Sequence, residues 1–312
     1  MEIRNVFGKS KVVVINVSDK DVEGLILNWD LNDNSSYRFM EKEFIDHTMK
    51  YLPEYAMGYD PTRISQLRIV DYLREAARGV IRLKNIERIK GYIDKNTPYN
   101  QWDNESLSYY NSKGIFSELI LHFLLRDIKD TLPLISKIYF KDSVPMEAHG
   151  FDAVHVKGNT LWLGETKFYN SGKSGIKSLI SDLNKHFTHD YLNEQFVIIS
   201  RALIHNNELR EKWIKKVTNC KRLKDIFGMI RIPLLCIYED NITSSIINEL
   251  NHGGLPESVY INHVRDMKKY FDSNDTYQNK NNVEYVLMLL PVESKDRIIS
   301  SMLSKIFSMQ NI

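Results

Sequence analysis

Three residues suited to phosphodiester chemistry stand close together in this 312-residue chain: Asp152, in Gly150-Phe151-Asp152-Ala153-Val154, and, thirteen residues on, the run Glu165-Thr166-Lys167. A phosphodiester resists attack because its phosphate is anionic. A hard cation held by carboxylates offsets that charge and makes its bound water more nucleophilic, a task for which Asp152 and Glu165 suit Mg²⁺ or Mn²⁺. Lys167 adds a point charge that can orient the attacking water or stabilise the charge building up in the transition state. Taken alone the pattern is weak, because an Asp beside a turn and a Glu/Lys pair on a strand also occur as plain solvated surface.

The surrounding elements are what would bring the three together. Val154–Val156 and Leu161–Leu163 are β-rich and flank a Lys157-Gly158-Asn159 turn, so residues 151–156 and 160–167 read as a hairpin. Side chains alternate along a strand, which puts Glu165 and Lys167 on one face, with Asp152 opposite the end of the second strand. Upstream, residues 107–129 carry Ile115, Phe116, Leu119, Ile120, Phe123 and Leu124 as the stripe of an amphipathic helix. Glu118 lies beside that stripe, where a carboxylate is costly to bury alone. Three environments suit it: a metal site, a helical i,i+4 pairing with His122, or the polar edge of the helix. A strand at Ile135–Phe140 precedes the hairpin; a helix at Ser174–Phe187 and a strand at Gln195–Ser200 follow it. The order is α-β-β-β-α-β, and the fold class is α/β (α+β).

That order, with Asp on the second strand, Glu-x-Lys on the third and Glu on the first helix, resembles the core of the PD-(D/E)xK nuclease superfamily, the restriction-endonuclease-like fold, over residues 107–240. The residue before the Asp is Phe151 where the superfamily pattern has Pro. Ser112-Lys113-Gly114-Ile115-Phe116-Ser117-Glu118, His149-Gly150-Phe151-Asp152-Ala153-Val154-His155 and Leu163-Gly164-Glu165-Thr166-Lys167-Phe168 further resemble the HamA family, nuclease subunits of the Hachiman anti-phage system, and its AbpA-type relatives. The resemblance implies a Mg²⁺- or Mn²⁺-dependent deoxyribonuclease in a bacterial defence system, with Glu118, Asp152, Glu165 and Lys167 as site residues. It also implies a superfamily-2 helicase partner, HamB-like, that holds the nuclease in check. The sequence carries no helicase motif of its own. A reading from another class is a catalytically silent, nuclease-like subunit that binds DNA or a helicase.

Charge is distributed unevenly. The net charge is only +2, but residues 157–231 carry 14 Lys/Arg against 7 Asp/Glu, leaving 28 against 33 elsewhere. Lys173, Lys177 and Lys185, on or before the helix after the Glu-x-Lys strand, are the candidate DNA contacts, of the sequence-independent, salt-sensitive kind. Arg210, Lys212, Lys215, Lys216, Lys221, Arg222 and Lys224 load the next region, as a second phosphate-contacting face or as solvated helix surface. Two cysteines, Cys220 and Cys236, make no disulfide framework, and with no apolar leader and no membrane-length run the expectation is a reduced, cytoplasmic setting without membrane contact.

Residues 1–105 read as a separate α+β module for partner binding or regulation, with strands at Lys11–Val17 and Gly24–Trp29 and helical patterns around Tyr37–Tyr55, Ile64–Ile81 and Ile86–Ile93. Residues 106–312 then form the nuclease domain, ending in C-terminal helices at Val283–Leu290 and Arg297–Phe307 punctuated by Pro291. Gly172-Lys173-Ser174 lacks the upstream glycine of a phosphate-binding loop and reads as a turn capped by Ser174. His186 and His189 lack further ligands close in sequence, which speaks against zinc.

Overall fold

The computed structural model describes residues 11–58, 68–81, 83–95, 97, 101–104, 106, 114–136, 150–188, 191–192, 215, 230–277 and 283–312. It is a mixed α/β fold built on a seven-stranded sheet. The strands are β1 (Val13–Asp19), β2 (Val22–Leu27), β5 (Leu132–Pro133), β6 (Ala153–Lys157), β7 (Thr160–Tyr169), β8 (Ile230–Glu239) and β9 (Glu284–Val292), in the order β1-β2-β9-β8-β7-β6-β5. The pairings β2–β9, β9–β8 and β8–β7 are parallel and the others antiparallel. A small ribbon of β3 (Trp29–Leu31) and β4 (Tyr37–Phe39) stands apart.

The helices are α1 (Glu41–Lys50), α2 (Leu52–Met57), α3 (Ile69–Val80), α4 (Leu83–Asp94), α5 (Ile115–Asp127), α6 (Gly172–His186), α7 (Ile242–Asn251), α8 (Glu257–Asn274) and α9 (Lys295–Gln310). From α5 through β8 the order among the described residues is α-β-β-β-α-β. α5 packs on one face of β6 and β7, with α1 and α2 against it; α6 packs on the other face of β7 and β8, beside α8. Every residue of α5 is buried. That helix is therefore a core element between the sheet and the N-terminal helices, rather than a one-sided surface stripe.

The β6–β7 hairpin forms as its sequence predicts. Lys157 pairs with Thr160 across a two-residue turn in which Gly158 has φ +55°, a conformation that favours glycine at the first central position. Gly164 is required for another reason: a Cβ there would lie 2.7 Å from Leu121 Cδ2 of α5. The close approach of α5 fixes which face of β7 is which. Gly164 faces α5, so Glu165 faces the opposite side.

Several expectations change. Residues 284–292 are the strand β9, not a helix; from Val286 on the run is apolar and buried on both faces in the middle of a parallel sheet, where periodicity cannot separate strand from helix. Pro291 is tolerated there. The Val292 carbonyl accepts from Asp240 N on the β8 side, so alternation turns the Pro291 nitrogen the other way, past Leu289 where pairing with β2 ends. The C-terminal helix that does form is α9. The strand before the hairpin is β5, at Leu132–Pro133, while 135–136 are outside any strand and 137–140 lie outside the described residues. The expected strand Gln195–Ser200, along with His149, His189, Cys220 and the basic residues from Arg210 to Lys224 other than Lys215, also lies outside them. β8 was not anticipated. β1 and β2, from the segment expected to form an N-terminal module, extend the same sheet through β2–β9 pairing. No helix among the described residues is long and apolar enough to cross a membrane.

Candidate active site

Asp152 precedes β6 by one residue. Its main-chain N–H donates to the Gly164 carbonyl at 3.0 Å, and its Oδ2 accepts from the Thr166 N–H at 2.8 Å. Continuing the Ala153–Gly164 register by one step sets Asp152 across from Glu165. Glu165 is 2% exposed, and its Oε1 lies 2.9 Å from His186 Nδ1. Lys167 Nζ lies 2.5 Å from Asp182 Oδ2. Asp182 and His186 are four residues apart on α6, so one face of that helix meets the Glu165/Lys167 face of β7. The sequence reading missed both partners, although a carboxylate and an imidazole at i,i+4 on the helix after a Glu-x-Lys strand was a usable signal.

The electrostatics divide the three residues. Burial pushes the Glu165 carboxyl above its ordinary range, and His186 and Lys167 do not fully offset that. Burial works to depress the Lys167 ammonium, but the hydrogen bond and charge of Asp182, with the charges of Asp152 and Glu165, outweigh it and hold the pKa above the usual lysine value. His186 is raised, chiefly by its bond to Glu165. Lys167 is thus a fixed cation and not a base. Glu165 is a carboxylate short of positive charge. Lys167 and His186 keep side-chain exposures of 24% and 23%, so the site opens to solvent on this side.

Glu118, the fourth predicted residue, is buried, which removes the polar-edge alternative, and Tyr55 Oη donates to its Oε2 at 2.6 Å. His122 instead meets Glu54. Among the described residues no three Asp, Glu, His or Cys side chains gather at ligand spacing. The donor set that fits a cation is therefore Asp152 with Glu165, consistent with the way Mg²⁺ is held by one or two carboxylates and completes its shell with water and phosphate oxygens. The raised Glu165 carboxyl is the second sign of fit, since a cation would supply the charge it lacks.

Lys173, Lys177 and Lys185 are all exposed on α6. Measured around the helix from Asp182, Lys185 lies about 60° away, Lys177 about 140° and Lys173 about 180°. Lys173 sits over the Tyr270 ring, 5.4 Å from its centroid, in a cleft of about 1260 Å³ also lined by Glu239, Asp240, Asp266 and Glu293. The helix begins at Gly172 with Ser171, not Ser174, at the cap position. Lys215 is exposed.

No curated protein and no solved structure matches the chain. The family model that does match is HamA, over residues 5–306. The match takes in every residue of the site, and by it the chain belongs to the HamA family of anti-phage defence proteins.

Proposed function

We propose that the chain is a metal-dependent DNA nuclease of the PD-(D/E)xK type, acting in anti-phage defence under the control of a superfamily-2 helicase partner. The observation that carries the reading is the convergence of Asp152, Glu165 and Lys167 at one end of the hairpin, where the charges of both carboxylates reach the Lys167 ammonium. Asp152 and Glu165 would hold Mg²⁺ or Mn²⁺, which when bound offsets phosphate charge and lowers the pKa of its water. Lys167, kept protonated by Asp182, orients the water or the scissile phosphate as a point charge. His186 fixes the Glu165 carboxylate in place, and Glu118 assists from α5. Lys185, beside His186 on the open side of the site, contacts the DNA backbone, with Lys177 and Lys173 farther round the helix.

Each of the three central groups is already engaged: Asp152 by the Thr166 N–H, Glu165 by His186 and Lys167 by Asp182. That favours, as a second reading, a silent subunit that binds DNA or the helicase. Cleavage of supercoiled and linear DNA with Mg²⁺, with and without the helicase, decides between them. The nuclease reading expects metal-dependent cutting that Lys167→Ala abolishes while folding and DNA binding persist. Cutting unchanged by Lys167→Ala would remove that residue from the mechanism. No cutting in any combination, with binding intact, establishes the silent subunit.

A further inference from the structure

On α5, a helix buried along its whole length, Glu118, His122 and Arg126 stand at i, i+4 and i+8 and form one polar stripe. Two consecutive residues of α2 meet it. Glu54 Oε2 takes Arg126 Nε at 2.7 Å and lies 3.0 Å from His122 Nε2, while Tyr55 donates to Glu118. The clamp closes on the hairpin itself. His122 Nδ1 lies 3.1 Å from His155 Nε2 on β6, His155 Nδ1 lies 2.8 Å from Thr131 Oγ1, and Arg126 Nη1 donates to the Thr131 carbonyl at 2.6 Å. Tyr55 packs edge-on against His122 with ring centroids 5.7 Å apart. Its phenol therefore has no rotational freedom to lend: the ring is held by His122 and the backbone by Glu54.

We propose that Tyr55 is a positioning residue of the site, fixing the Glu118 carboxylate, which serves the outer shell of a divalent cation held by Asp152 and Glu165. The inference rests on the nuclease reading for its cation. It assigns to the first third of the chain a part of the site, delivered by α2. Two further facts support it. Glu118 Oε1 lies over Gly114, where a Cβ would come within 3.3 Å, so the missing side chain leaves room for the carboxylate in this position. Burial, then the charge and hydrogen bond of Glu118, raise the Tyr55 phenol well above its ordinary value, so the hydroxyl stays protonated and donates to Glu118. Groups that orient a metal's surroundings without touching it are worth roughly 10-fold to 100-fold in metal affinity.

The test is Mn²⁺ binding to the full chain, followed by electron paramagnetic resonance, for the unaltered protein, Tyr55→Phe, Glu118→Gln and the double variant, with melting temperatures alongside. Tyr55→Phe keeps the ring and removes only the hydroxyl. The expected result is a loss of about 10-fold or more in Mn²⁺ affinity in each single variant, and a double variant no weaker than Glu118→Gln, because Tyr55 acts through Glu118. Affinity unchanged in Tyr55→Phe overturns the proposal, and so do losses that add in full in the double variant. An unaltered chain that takes up no Mn²⁺ overturns it together with the metal-dependent reading. Cleavage plays no part in this readout: Tyr55-dependent Mn²⁺ uptake without any cutting of DNA supports the positioning role while sinking the nuclease reading.

Discussion

Two buried glutamates, each bonded to a histidine, sit on opposite faces of the same hairpin, and their carboxyls shift in opposite directions. On the α5 side, burial opposes ionisation of Glu54, but His122 and Arg126 overcome it and the pKa falls below 4.5. On the α6 side, burial wins and the Glu165 pKa rises. The difference is local charge. Glu54 has a guanidinium at hydrogen-bond distance, whereas Lys167 spends its own hydrogen bond on Asp182 and reaches Glu165 only through space. A buried carboxylate that is fully compensated holds a structure together; one that is left short of positive charge is poised to take up a cation or a proton.

The largest expected effect tests the under-compensated side. Glu165→Gln should lower Mg²⁺-dependent cleavage by about 10³-fold, while its melting temperature stays level or rises, because an amide removes the cost of burying the charge. A variant that cuts DNA normally would show that the shift at Glu165 is incidental. Glu54→Ala should do the reverse on the compensated side, costing about 3–5 kcal/mol of stability because it leaves Arg126 and His122 buried without their carboxylate. Chemical denaturation measures it, and a loss under about 1 kcal/mol, the scale of an exposed pair, would mean the ring does not clamp α2. Gly164→Ala comes next. The added methyl meets Leu121 and should cost about 1–3 kcal/mol, visible as a lower melting temperature.

The two sides also differed in how much the sequence disclosed. Asp152, Glu165 and Lys167 were legible because strand alternation and a Gly-bearing turn act over a few residues, and the register that opposes Asp152 to Glu165 follows from the Lys157–Thr160 closure. The clamp was not. Glu54 and Arg126 are 72 residues apart and His122 and His155 are 33 apart, and no local period couples such positions. The setting of Glu118 stayed open between a metal site, His122 and the polar edge of its helix, because its partner Tyr55 comes from a segment read as a separate module. β9 was misread for the opposite reason: a strand buried on both faces loses its alternation, so the run 284–292 has no period to distinguish it from a helix.

Acid titration separates the faces without any substrate. The folded pKa of Glu54 lies below 4.5, so its stabilisation is present above pH 4.5 and is lost as pH falls through the folded value. Glu165 has the other sign. With its pKa raised, the cost of its ionisation develops as pH rises from 4.5 through the folded value, and the stabilisation from His186 is present below 6.5 and lost as pH rises through its raised value. Urea midpoints of the metal-free protein across the acid range should therefore fall less steeply toward low pH in Glu54→Gln, and decline less toward neutral pH in Glu165→Gln. Parallel curves for both variants would mean that neither glutamate is coupled to folding as its surroundings imply.

The smallest effect sharpens where DNA lies on the open face. Lys185 shares a side of α6 with Asp182 and His186, whereas Lys173 is at the far end of the helix, over Tyr270 and beside Glu239, Asp240, Asp266 and Glu293. Those carboxylates repel a phosphate backbone, so the two lysines should separate although both are exposed. Lys185→Ala is expected to reduce the dependence of DNA affinity on salt by about one unit of logarithmic slope, one phosphate contact, and Lys173→Ala to leave it unchanged. Fluorescence anisotropy over a salt series measures both. Equal slopes lost at the two positions would place DNA along the whole of α6 and extend the footprint into the acidic cleft; a loss at Lys173 alone would move the DNA off the Glu165 face altogether, away from the partly exposed Lys167 and His186 side chains.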